Sequence, residues 1–448
     1  MDDRECGGEL FEISITGLTH DGNGVGRENG RVIFVPGGLP GDRLRARVVE
    51  KKSRYWIAER QELVSPSTER IAARCPHAAE CGGCHYQELR YSAQLHWKKR
   101  QVEDALRRIG RVEQKILPVI GMETPWHYRN KAQFPLSFDR DEVKIGYYRR
   151  GTHSVVDIEE CPVLPPLMVD LLQVMRQVIS RQREQWKSLR HLVIRNSFSE
   201  EKLMLALVSR NGQLPPLEEW LPEVRGKVPQ LVSIVHNINN QKGSQIWGRE
   251  TLHLAGEESL YEEIASTRYA ISPGSFFQIN PIQTKVLYDQ ILEMISPCGE
   301  ELVLDLFSGA GTIALYLAPH VRQAVGVESF APAVLDAKRN SQLNQLHNVE
   351  WISGRSEEWL PRLFKRYRRV DWVVVDPPRE GCARRLLDAV VEQKVEKMIY
   401  VSCNPSTLAR DLLVMREGGY RIERVQPIDL FPWTAHIETV VLLTYESD

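Results

Sequence analysis

The chain has 448 residues, about three times the ~150 of a typical single domain, so two or three domains are expected. With 42% hydrophobic and 26% charged residues it can build a sizeable core, which excludes long disorder or a collagen-like fibre. Net charge is only −1, yet residues 41–150 hold 23 Lys+Arg against 14 Asp+Glu, a local excess of 23 − 14 = +9 able to meet phosphates. No apolar run approaches the ~20 residues of a membrane span. The acidic start MDDRECGGEL has no apolar signal core, so a cytoplasmic protein without a membrane partner is expected.

Residues 10–65 read as short strands separated by glycine turns, with FEISITGL and RVIFVPG flanking the turn-rich HDGNGVGRENG. In DRLRARVVE, Leu44, Ala46 and Val48 alternate with Arg43, Arg45 and Arg47. This period of two sends aliphatics to one face and arginines to the other. A small OB-like barrel with a cationic outer face suits an RNA backbone. SPSTER then reads as a linker.

Of eight cysteines, three fall within CPHAAECGGC as C-x5-C-x2-C: Cys75, Cys81 and Cys84. Cys161-Pro162 follows much later. Four thiolates can ligate a [4Fe–4S] cluster, and a last cysteine before proline resembles the bacterial ferredoxin pattern. Zinc is the rival, but zinc ribbons usually pair two short knuckles, and only one is present here. The pattern points to a closed iron–sulfur site. A long helix is expected from about Glu88 to Ile109, stopped by Gly110, with Leu95, Val102, Leu106 and Ile109 on its packing face. Lys98, Lys99 and Arg100 are expected in solvent or on phosphate. Residues 120–270 mix strands and helices without a legible topology. Within them PWHYRNKAQFPL sets Arg129 and Lys131 among aromatics, a stretch suited to face RNA.

The last 170 residues alternate strand and helix, as a doubly wound parallel sheet does. ELVLDLF runs into SGAGT, where Asp305, Gly309 and Gly311 stand at a strand's carboxyl end and the glycines let the backbone approach a ligand. Glu328 ends the next strand, QAVGVES, where a carboxylate can accept from ribose hydroxyls. NAD and S-adenosylmethionine both fit. The absence of a G-x-G-x-x-G phosphate cradle favours the methyl donor. Two further strand tips should share this edge, Asp376-Pro377-Pro378-Arg379 and Ser402-Cys403-Asn404-Pro405. HIETVVLLTY brings Glu438 to the start of another apolar strand. A thiol and two carboxylates thus converge on a donor site.

At these motifs the chain resembles the RNA 5-methyluridine methyltransferases, in particular the iron–sulfur class that modifies ribosomal RNA, over nearly its whole length. The resemblance implies a TRAM barrel over 1–70, a central α+β domain with the [4Fe–4S] site over 71–272, and a Rossmann-like methyltransferase domain over 273–448. The helix near 88–118 would pack on the last of these. It also implies that Cys75, Cys81, Cys84 and Cys161 hold the cluster, and that Gln278 in SFFQIN, Phe307, Thr312, Glu328 and Asp376 bind the donor. Cys403 in SCNP would be the nucleophile and Glu438 in HIET the proton acceptor. Gly354-Arg355-Ser356 departs from the family pattern, which often has an acidic or amide residue near the adenine. The expected product is 5-methyluridine in 23S ribosomal RNA, with transfer RNA the other candidate, made by a monomer through a cysteine–uracil adduct.

Two rivals lack support in the residues. Amino-group methyltransferases also use Asp-Pro-Pro but usually follow it with an aromatic residue, where this chain has Arg379, and they need no thiol. A non-catalytic RNA-binding factor would leave the donor loop, Cys403 and Glu438 without a job.

Overall fold

The computed structural model describes residues 10–139, 142–243 and 245–446. Cys6 lies outside these residues. Five strands come first: β1 (Leu10–Leu18), β2 (Gly24–Glu28), β3 (Arg31–Val35), β4 (Arg43–Lys51) and β5 (Tyr55–Ser65). They close a barrel in the order β1-β2-β3-β5-β4. Ile13, Ile15, Ile33, Val35, Leu44, Ala46 and Ala58 fill it, while Arg43, Arg45 and Arg47 point outward, as the alternation in DRLRARVVE predicts. The arginine face is less cationic than its sequence suggests. Arg43 pairs with Glu12 at 2.7 Å and Arg45 with Glu62 at 2.7 Å, both partners being cross-strand neighbours. Buried Asp42 ties the barrel to the linker by accepting from Arg70 Nη2 at 2.8 Å.

Helix α1 (Tyr91–Arg108) follows. Its Val102, Ala105 and Leu106 join Val112 and Ile116 in one apolar cluster with Leu302, Leu408 and Val425, so it packs on elements from the far end of the chain. Lys98 corrects the expectation of a solvated or phosphate-bound lysine. It is fully buried, and its ammonium donates to Asp429 Oδ1 at 2.6 Å and to the Phe431 carbonyl at 3.0 Å. Ile109, expected on the packing face, is 42% exposed.

The middle of the chain builds β6 (Lys131–Phe138), β7 (Val143–Tyr148), β8 (Val155–Asp157), α2 (Pro166–Arg181), α3 (Arg183–Trp186), β9 (Leu189–Ser197), β10 (Lys202–Ser209), α4 (Leu217–Lys227), β11 (Leu231–Ile238) and β12 (Glu250–Gly256). They form one seven-stranded sheet in the order β12-β11-β10-β9-β6-β7-β8, with α2 and α4 packed together against it. A hairpin of β13 (Leu260–Ile264) and β14 (Thr267–Ile271) leads onward.

The remainder comprises α5 (Pro281–Ile295), β15 (Leu302–Asp305), α6 (Thr312–Leu317), β16 (Gln323–Glu328), α7 (Ala331–Leu343), β17 (Val349–Ser353), α8 (Ser356–Arg366), β18 (Trp372–Val375), α9 (Arg384–Glu392), β19 (Lys397–Ser402), α10 (Pro405–Glu417), β20 (Tyr420–Ile428) and β21 (Glu438–Tyr445). The sheet order is β17-β16-β15-β18-β19-β21-β20. It is parallel through β19, with β21 and β20 antiparallel at one edge. Each central strand is apolar on both faces because helices cover both. In β18, Val373 and Val375 enter one core while Trp372 and Val374 enter the other. Strand order reverses beside β15, which opens the crevice where doubly wound sheets bind ligands.

Candidate active site

Strand register assembles the site. Ser402 pairs with Thr439 on adjoining antiparallel strands, so Cys403, one residue beyond the end of β19, lies across from Glu438, the first residue of β21. Asp305 ends β15 and Asp376 follows β18, the next strand over. The four side chains therefore share one sheet edge, as the sequence predicts.

The loops at this edge are latched together. Asn404 caps α10 by accepting from Ser406 N at 3.0 Å, and its amide donates to the Arg379 carbonyl at 3.1 Å. Thr407 Oγ1 donates to that same carbonyl at 3.1 Å. The Asp-Pro-Pro-Arg and Ser-Cys-Asn-Pro tips thus form one unit, and Arg379 reaches His436 Nε2 at 3.4 Å.

Burial dominates the electrostatics. It pushes the Cys403 thiol up to about 12, with Glu438 and Asp376 adding to the rise and Arg379 opposing it. Glu438 is held well above the usual carboxylate range by burial and by Asp376, again opposed by Arg379. Burial raises Asp376 to about 7, and burial plus the Asp376 charge does the same for Asp305. Low local dielectric and like charges disfavour ionisation of every acid here. Clustered shifts of this kind mark functional sites more often than structural ones.

The loop after β15 is held by hydrogen bonds from backbone amides to two carboxylates. Asp305 Oδ2 accepts from Ala314 N at 3.1 Å, whereas its Oδ1 and the buried Ser308 hydroxyl have no partner among the described residues. Glu328 accepts from Gly309 N at 3.1 Å and from Phe330 N at 2.7 Å, fixing the loop that carries Gly309. Gly309 has φ +52°, and open space where a Cβ would stand. Gly311, at φ +85°, leaves no room for one, because Trp351 Cη2 would lie 2.5 Å from it. Half-buried Phe307 packs against the core, and Thr312 begins α6, its carbonyl accepting from Tyr269 Oη at 3.0 Å. The Gln278 carbonyl accepts from Asn130 Nδ2 at 3.0 Å, which binds this loop to the middle sheet. Arg355 lies exposed and pairs with Glu357 at 2.8 Å, on the surface.

The four cysteines are all free and partly buried. Cys84 and Cys161 pack against one cluster of Met122, Tyr128, Val163 and Trp433. Burial raises all four thiols; Cys81, Cys84 and Cys161 also feel the charge of a neighbouring thiol, and Cys75 that of Glu160. Gly83 N and Gln87 Nε2 donate to the sulfurs of Cys81 and Cys84 at 3.4 and 3.6 Å. Among the described residues, however, no three His, Cys, Asp or Glu side chains are gathered tightly enough to hold a metal ion, so the expected closed cluster site does not appear preformed. Arg129, expected to face RNA, is partly buried beside these thiols. Its Nε donates to the Lys131 carbonyl at 2.9 Å.

A profile of the tRNA (Uracil-5-)-methyltransferase family matches residues 90–446, most of the chain. The chain belongs to this family. A TRAM domain profile matches residues 4–59, which take in β1 to β4 and the start of β5. An uncharacterized RNA methyltransferase of Halalkalibacterium halodurans is 40% identical over 98% of both chains. Another, from Bacillus cereus, is 39% identical over 97% of this chain and 96% of its own. Among solved structures, the Pyrococcus abyssi tRNA (uracil-54, C5)-methyltransferase in complex with S-adenosyl-L-homocysteine has a TM-score of 0.78 and 28% identity. It covers 97% of this chain and 100% of its own. The protein is therefore an RNA (uracil-5-)-methyltransferase with an N-terminal TRAM barrel. No helix of the described residues is long and apolar enough to cross a membrane.

The sequence offered Cys403, Glu438 and Asp376 by their motifs but gave no role to Trp433. Its signal is a nine-residue connection, Asp429–Ile437, that is rich in aromatics and almost wholly buried.

Proposed function

We propose that this methyltransferase methylates carbon 5 of a uridine in 23S ribosomal RNA through a covalent adduct. Cys403 serves as nucleophile and Glu438 as proton acceptor. The observation that carries the reading is the register that sets Cys403 across from Glu438 at the edge shared with Asp376. Carbon 5 of uracil is a weak nucleophile. When the Cys403 sulfur bonds to carbon 6, the electron pair of the carbon 5–carbon 6 double bond is released into an enolate, and carbon 5 becomes reactive. S-Adenosylmethionine, when bound, supplies an electrophilic methyl group and a positive sulfonium charge. Gln278, Phe307, Thr312, Glu328 and Asp376 would hold it, and the open space at Gly309 with the unpartnered Asp305 Oδ1 and Ser308 hydroxyl suits a polar ligand there. Glu438 then takes the proton from carbon 5. The freed pair restores the double bond, and the sulfur leaves carbon 6 with its electrons. The target base must leave its stack to reach this edge, which favours a loop or single strand.

Ribosomal RNA is the preferred substrate because the four cysteines accompany the barrel. Transfer RNA is the second reading, favoured by the Pyrococcus abyssi enzyme, whose name gives tRNA uracil-54 as its target. The working division is a barrel over 1–70, a middle unit over 71–272 and a catalytic unit over 273–448, with a single chain as the working form. We also assign a [4Fe–4S] cluster to Cys75, Cys81, Cys84 and Cys161. Three of the thiols feel the charge of a neighbouring thiol, and N–H donors reach two of the sulfurs, which supports the assignment. Anaerobically purified protein should then carry about four irons with inorganic sulfide. Zinc without sulfide would remove the assignment.

The mechanism is tested with methyl-labelled donor and unmethylated ribosomal and transfer RNA on a denaturing gel. Glu438→Gln should transfer a methyl group and stall as a covalent protein–RNA band. Cys403→Ala should give neither band nor product. A band from Cys403→Ala would show that the thiol is not the nucleophile.

A further inference from the structure

The base Glu438 has no side-chain anchor of its own. Its carboxylate is buried, and Oε2 has no hydrogen-bond partner among the described residues. Its position is set by backbone: the ladder to Ile428 on one side and the Asp429–Ile437 connection that delivers the chain into β21 on the other.

That connection is held from outside the sheet. The Trp433 carbonyl accepts from two successive amides, His85 N at 2.8 Å and Tyr86 N at 3.0 Å, immediately after Cys84. Trp433 N donates to Gln94 Oε1 at 3.1 Å, and the same glutamine donates to the Tyr86 carbonyl at 3.2 Å. The Trp433 indole donates to the Pro125 carbonyl at 2.7 Å and stacks on Trp126 with centroids 4.1 Å apart. Two residues on, Ala435 N donates to His85 Nδ1 at 3.3 Å. Trp433 sits at φ +67°, a conformation that a bulky side chain keeps only when its surroundings over-determine it. Here they do, through the backbone carbonyl, the backbone amide and the indole together.

We infer that Trp433, gripped by the His85–Tyr86 segment, is a positioning residue for the deprotonation step, fixing the chain five residues ahead of Glu438. The inference rests on the proposed role of Glu438 as base. Cys403 is delivered by β19 and α10, which make none of these hydrogen bonds and meet the connection through the 3.4 Å Arg379–His436 contact and the ladder to β21, so a loosened grip slows proton removal more than adduct formation. A carboxylate misplaced by about 1 Å loses much of its catalytic advantage.

The test is a single turnover by full-length protein, with methyl-labelled donor and unmethylated ribosomal and transfer RNA, timing the rise and decay of the covalent band. Trp433→Phe keeps an aromatic ring but loses the bond to Pro125. It should form the band at the wild-type rate and clear it about tenfold more slowly. His85→Leu, which leaves Ala435 N without its acceptor, should do the same. His85→Asn, whose Oδ1 can take the place of Nδ1, should restore clearance. Glu438→Gln is run in parallel. If it clears the band as fast as wild type, the base assignment fails and the inference falls with it. If it stalls while Trp433→Phe and His85→Leu clear normally, the base stands and the inference alone is overturned. Equal slowing of formation and clearance in the variants also overturns it, since that marks a general structural defect. Should Trp433→Phe fail to fold, the His85 pair decides.

Discussion

At the residue scale, Cys403 stands among groups that oppose its ionisation, with Arg379 as the counterweight. A thiol pushed up to about 12 is almost wholly protonated at neutral pH, so the thiolate of the proposed nucleophile is scarce. Below that value the thiolate fraction grows tenfold for each unit by which the pH rises. The rate of adduct formation on RNA carrying 5-fluorouridine should therefore climb between pH 7 and 9 with a logarithmic slope near one. Rapid-quench measurement of the band checks this, and a flat profile would mean that another group already holds the thiol proton. Removing Arg379 as Arg379→Gln should lower the rate at every pH in this range, because the positive charge that opposes the rise on both Glu438 and Cys403 disappears.

Among the elements, α1 shows where sequence reasoning reached and where it stopped. Its end near Gly110 and its Val102 and Leu106 contacts follow from helical spacing, although it starts at Tyr91 rather than Glu88 and does not continue to 118. The fate of Lys98 does not, because its partner Asp429 is 331 residues away and neighbouring Lys99 and Arg100 make the run look like a solvated face. Tyr91 completes the arrangement by donating to Asp429 Oδ2 at 2.9 Å. Lys98→Met should cost about 3–5 kcal/mol in urea unfolding, since it strands a buried carboxylate. Adding Asp429→Leu should recover much of that loss. A loss below about 1 kcal/mol for the single variant would mean that water reaches Asp429. The middle sheet was illegible for a related reason. Strands β9, β10 and β11 are buried on both faces and β9 and β11 carry polar residues as well, so the period of two that marks a half-buried strand is missing. The candidate edge was readable because its residues stand at strand tips within short motifs, Asp-Pro-Pro-Arg and Ser-Cys-Asn-Pro, which local order alone brings to one edge.

For the whole molecule, the barrel's arginines are the natural first contact for phosphates, but they are not equivalent. Arg45 must be released from Glu62 and Arg43 from Glu12 before either can meet RNA, whereas Arg47 projects from the same face beside them. Each phosphate contact on single-stranded RNA contributes about 0.7 to the slope of log affinity against log salt. Arg47→Ala should lower the slope by about that amount, and Arg45→Ala by clearly less. Filter binding across a salt series checks the order. Equal slopes for both variants and wild type would move the RNA contact elsewhere.

The packing of α1 also bears on how the protein is made. Val102, Ala105, Leu106, Val112 and Ile116 leave the ribosome early, yet the core they complete begins again only at Leu302. At about 5–20 residues per second, roughly 10–40 s separate the two. During that interval the apolar stripe of α1 has no permanent partner, while the barrel before it and the seven-stranded sheet after it can already close. A nascent chain arrested near residue 300 should therefore be the form most prone to aggregate and the form that chaperones hold longest.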